Sequence, residues 1–124
     1  MTIQEAIARI DSLKPNNYLQ DEKIRWLSEL DGIVYKEIID THEDKTINEF
    51  NGYNSETSVD TELLIPFPHN DIYIKWLESR IDYTNGEYGK FNNSITMFNS
   101  AYMQYSNFYN KHHLPKANAE NKYF

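Results

Sequence analysis

The chain has 124 residues, a formal net charge of −7, 40% hydrophobic and 15% aromatic residues, and no cysteine. That length makes one domain, large enough to bury roughly two-thirds of its unfolded surface. The missing thiols exclude a disulfide framework and a thiolate metal site. An acidic chain without a Lys/Arg cluster is a poor candidate for gripping nucleic acid specifically or an anionic membrane.

The charge is uneven. Residues 1–43 carry five basic and nine acidic groups, 44–68 one and five, and 69–124 six and five. Ten Tyr against six Phe and two Trp is an unusual mix. Tyr suits half-buried sites, at a core edge or against a partner, because its ring packs while its hydroxyl stays wet. The opening Met-Thr-Ile-Gln-Glu lacks the basic-then-apolar order of a secretion signal. No stretch is apolar over a membrane span, so the expected place of synthesis is the cytoplasm.

The spacing predicts a first helix over Ile3–Leu13, with Ile3, Ala6, Ile7, Ile10 and Leu13 on one face. Thr2 and Glu5 form a capping box and Pro15 ends the helix. A second helix is expected from Glu22 to about Thr41, capped by Gln20 or Asp21. Ile24, Leu27, Leu30, Val34 and Ile38 form its stripe. Gly32 inside it costs about 1 kcal/mol relative to Ala, and is expected to mark close packing against a neighbouring helix.

Residues 44–68 read as one long irregular loop, rich in Asn, Asp, Glu, Ser and Thr and ending in Leu63-Leu64-Ile65-Pro66-Phe67-Pro68. Such length without helix is uncommon in a small domain and is often functional. Each Pro pushes the preceding residue out of α space, and a short two-stranded ribbon within 46–66 fits the pattern.

An aromatic-rich stripe then runs through Ile74, Leu77, Ile81, Tyr88, Phe91, Ile95, Phe98, Tyr102, Tyr105 and Tyr109 at helical spacing. Asn85-Gly86 looks like a helix stop, which makes 70–112 an antiparallel helical hairpin capped at Asn70. A single helix of about 42 residues, roughly 63 Å long, also keeps the register; the hairpin is preferred as more compact. The fold class is all-α: a small bundle of about four helices over 1–115, followed by a polar tail at 116–124.

Reaction chemistry is not visible. His42, His69, His112 and His113 show no metal-binding spacing. The acidic pairs Asp40/Glu43 and Glu78/Asp82 read as solvated surface, and no Gly-rich phosphate loop, calcium loop or nucleophile elbow occurs. The expectation is a non-enzyme with no catalytic residues, no cofactor and no metal.

Three stretches carry a resemblance. The first is Lys23–Gly32 with Tyr35–Ile39. The second is Leu63–Pro68 leading to Tyr73 and Trp76-Leu77. The third is Tyr83–Asn93 with Phe98-Asn99, Ala101-Tyr102 and Tyr109. Together they cover most of residues 1–115. In order and pattern the chain resembles the small helical head–tail connector (adaptor) proteins of tailed phages and prophages of Gram-positive bacteria.

The resemblance implies a virion structural protein, made in the bacterial cytoplasm and residing at the head–tail junction. Its partners would be further copies of itself in a ring, the phage portal protein, and a tail-side head-completion protein. It implies that the C-terminal segment Leu114–Phe124, with Lys116, Lys122, Tyr123 and Phe124, docks onto the portal. Phe50 and Tyr53, aromatics in a polar loop, are the candidate contacts with a neighbouring subunit. The alternative is a cytoplasmic all-helical protein–protein interaction module without catalytic activity, regulating an enzyme or transcription factor.

Overall fold

A computed structural model describes residues 1–45 and 47–113. The fold is all-helical. Helix α1 spans Ile3–Leu13, α2 Gln20–Val34, α3 Ile72–Thr84 and α4 Tyr88–His112. A π-helical turn, Tyr35–Ile39, continues α2 directly.

The capping box of α1 forms as expected: Glu5 N–H donates to Thr2 Oγ1 at 3.1 Å, and Thr2 N–H to the Glu5 carboxylate at 2.9 Å. The other starts differ from the reading. Leu19 rather than Gln20 or Asp21 caps α2, and Asp71 rather than Asn70 caps α3, neither through a side chain. Nothing lies within 4 Å of a Cβ built on Gly32, so this glycine does not mark a close helix contact.

The π turn explains why the second helical stretch keeps its apolar face over so long a run. Asp40 N–H donates to Tyr35 O at 2.8 Å, and the extra residue places both Ile38 and Ile39 in the core. The hairpin is real: a turn at Asn85–Glu87, with Gly86 at φ 76°, reverses the chain between α3 and α4. A single long helix is thereby excluded.

Side-chain bonds fix the helix directions. Lys14 meets Asp82, placing the end of α1 beside the end of α3. Trp76 Nε1–H donates to Trp26 O at 2.7 Å and Tyr73 reaches Asp31, so α3 runs against α2. Ser94 reaches Asp82 and Phe98 lies against Trp76, so α4 runs against α3. The result is an up-down bundle with two distinct ends. Helices α1, α2 and α3 pack on one another around Ile3, Ile10, Leu27, Leu30, Leu77 and Ile81. Helix α4 packs on α3 and the π turn, with no close backbone approach to α1 or α2. Only Ser94, Phe98, Tyr105 and Tyr109 of α4 are buried.

The described part of the long loop, residues 44–45 and 47–68, forms a strap over one end of the bundle. Ile3 and Gln4 N–H donate to Thr61 and Val59 O, and Leu63 N–H to Met1 O, at 2.9–3.0 Å. Among the described residues no strand forms, so the expected ribbon within 46–66 is not seen there; an isolated antiparallel bridge instead joins Thr2 to Glu62.

Candidate functional site: the strap and its buried carboxylate

Asp31, on α2, is completely buried. Its carboxylate accepts three hydrogen bonds, from Tyr53 Oη at 2.6 Å, Tyr73 Oη at 2.6 Å and Leu64 N–H at 3.0 Å. Tyr73 Oη in turn accepts from Ile65 N–H at 2.7 Å. One carboxylate thus ties α2, α3 and both halves of the strap together. Burial pushes Asp31 above the ordinary carboxylate range, and the donated hydrogen bonds only partly oppose this. Burial, reinforced by the Asp31 charge, pushes the Tyr53 and Tyr73 phenols well above theirs.

The strap is fixed again at the Gly52–Tyr53 peptide. Tyr53 N–H donates to Ser28 Oγ at 2.9 Å, and Gly52 takes φ 89°. A Cβ at Gly52 would stand 2.8 Å from Ser28 Oγ, so both conformation and space require glycine here.

The residues expected to meet a partner fall into two groups. Tyr53 is half-buried with its hydroxyl committed to Asp31, and Phe50 is half-buried between Tyr35 and Tyr53, at ring distances of 6.4 and 5.0 Å. These three rings form one half-buried cluster, held by the Tyr53 hydroxyl on Asp31 and the Tyr35 hydroxyl on Asn48 O. Lys116, Lys122, Tyr123 and Phe124, with the domain boundary at 115, lie outside the described residues.

The strap is also acidic. Glu49, Glu56 and Asp60 are exposed, and their carboxylates have no ion-pair or hydrogen-bond partner among the described residues.

At the same end, His42 is buried with its Nδ1 2.6 Å from Ile38 O, so Nδ1 carries the proton. Its edge meets Tyr109 at 4.7 Å, and Tyr109 stacks on His113 at 3.7 Å. His42 Nε2 and Tyr109 Oη are both buried and have no hydrogen-bond partner among the described residues. His112 and His113 each bond a carbonyl one turn back in α4. Among the described residues no group of three metal-binding side chains forms.

The opposite end holds a different pair. Lys14 Nζ lies 2.7 Å from Asp82, whose side chain is 2% exposed and also accepts from Ser94 Oγ at 2.9 Å. These residues line an open cleft of about 240 Å³ with Glu78, Lys90 and Met97. Reading Glu78 and Asp82 as a solvated pair fails for Asp82, which is a buried ion-pair member.

Sequence reasoning missed Asp31, Tyr73, His42 and Asp82. No protein-family model, no curated protein and no solved structure matches the chain. Among the described residues, no helix is long and apolar enough to cross a membrane.

Proposed function

We propose that this protein is a phage structural component, a head–tail connector or adaptor. It joins a ring beneath the portal, extends the DNA exit channel and receives a tail-side head-completion protein. The resemblance across most of residues 1–115 points to this role.

The observation that carries it is the clamped strap. The domain commits a fully buried carboxylate to holding a long non-helical segment in one conformation. A segment fixed in advance costs little ordering entropy when a neighbour binds it, which suits a contact repeated identically around a ring. The Tyr35–Phe50–Tyr53 cluster supplies rings at that surface, the composition that interface cores favour. The net charge of −7 fits a conduit that must let DNA slide rather than hold its phosphates.

Deletion of the gene from an inducible phage, followed by electron microscopy of the lysate, tests the role. A connector's loss yields separate heads and tails. Normal tailed particles would overturn the proposal and leave the interaction-module reading.

A further inference from the structure

The end of the bundle opposite the strap carries an arginine set among rings. Arg80, toward the C-terminal end of α3, stacks its guanidinium over Trp76 at 4.4 Å, with Tyr83 and Phe91 each at 5.6 Å. No carboxylate lies within 4.0 Å of it among the described residues, and its Nε is buried without a hydrogen-bond partner. Glu29 acts on it from longer range but pairs with Arg25 at 3.3 Å. The flanking rings are open: Tyr83 is 52% and Tyr88 61% exposed, and the two lie 5.8 Å apart.

Helix α4, which forms one wall of this surface, contains no acidic residue in a chain of net charge −7. The acids at its margin, Glu87 and Glu29, are paired with Lys90 and Arg25, and exposed aromatics beside an arginine are the composition of an interface core. A guanidinium on a ring face keeps its planar donors for a carboxylate.

The matching chemistry stands on the same chain. The exposed acids Glu49, Glu56 and Asp60 lie on the strap, without partners among the described residues. The strap is tied to Ser28 and Asp31 on α2 and to Tyr73 at the start of α3, whereas Arg80 lies seven residues further along α3. About 10 Å of α3 separates Tyr73, which the strap meets, from Arg80, so the two patches are distinct.

We propose that the Arg80–Tyr83–Phe91 surface receives the acidic strap of a second copy of this chain. Because the two patches differ, the contact is head-to-tail, and repetition closes a ring or extends a filament. This names the subunit contact of the ring proposed above and rests on that reading for its setting, although its test is independent.

The chain has no cysteine, so site-directed cross-linking has no background. Glu56→Cys protein mixed with Tyr83→Cys protein at high concentration, with a short bismaleimide, traps even weak encounters. The expected result is a mixed covalent dimer, in clear excess over that from Glu56→Cys with Ala8→Cys on the exposed side of α1. In the Tyr83→Cys partner, Arg80→Glu is expected to lower the yield about tenfold. Neutralising the strap in the Glu56→Cys chain, with Glu49→Gln and Asp60→Asn, is expected to lower it without altering the melting temperature.

Equal yields with Ala8→Cys, no dimer, or insensitivity to strap neutralisation would each overturn the proposal; in the first two cases the patch belongs to a different partner or to none. A selective cross-link with no incorporation into particles would instead overturn the connector role and leave the interface standing.

Discussion

The Tyr73 hydroxyl donates to the Asp31 carboxylate across 2.6 Å inside the bundle, joining α3 to α2 where both face the strap. Removing that acceptor orphans two phenols and a backbone N–H together. Asp31→Ala is therefore expected to destabilise the fold by about 3–5 kcal/mol, in the range for breaking buried charged hydrogen-bond sets. Tyr53→Phe removes one donor at a less buried position and is expected to cost about 1 kcal/mol. Urea unfolding followed by circular dichroism measures both.

The pH dependence of the same group has a definite sign. Burial raises Asp31 in the folded state, so the folded chain holds this proton more tightly than the unfolded chain. Its contribution to stability is fully present below the unfolded carboxylate pKa and is lost as pH rises through the raised folded value. Asn at 31 does not titrate. The stability gap between wild type and Asp31→Asn is thus expected to narrow as pH rises from about 4 toward neutrality. A gap that widens over that range would contradict the assignment.

Much of the architecture was readable because it is local. The bounds of α1, its capping box and the hairpin turn follow from spacing and cap chemistry within a few residues. The Asp31 clasp was not readable, because its partners Tyr53, Leu64 and Tyr73 are 22, 33 and 42 positions away. An acid in Glu29-Leu30-Asp31-Gly32 looks like surface until those partners are in place. Asp82 is the same case, paired with Lys14 from another helix. The π turn has no signature in the apolar spacing, because Ile24, Leu27, Leu30, Val34 and Ile38 recur at ordinary helical intervals, so periodicity alone reads one plain helix.

Gly52 offers a sharper probe of the strap. Gly52→Ala places a Cβ in a left-handed conformation and against Ser28 Oγ. The expected cost is about 1–2 kcal/mol. It should come with faster cleavage at Glu49 and Glu56 by a glutamate-specific protease. Unchanged cleavage would mean that the strap does not depend on this anchor.

Lys14 and Asp82 are expected to couple strongly. Lys14→Met leaves Asp82 buried without its ion-pair partner and with the Ser94 hydroxyl as donor, at a cost of about 2–4 kcal/mol, whereas the double variant Lys14→Met with Asp82→Leu should lose much less than the sum of the single changes. Thermal melts of the four proteins complete the cycle. Additive losses would show that the pair acts independently.

The central claim is a structural role at the head–tail junction. Its most direct test is quantitative mass spectrometry of purified particles from an induced culture, counting copies of this chain against the portal protein. The connector role predicts about one copy per portal subunit, as a ring matched to the portal requires. Intact particles that carry a portal and none of this chain would contradict it.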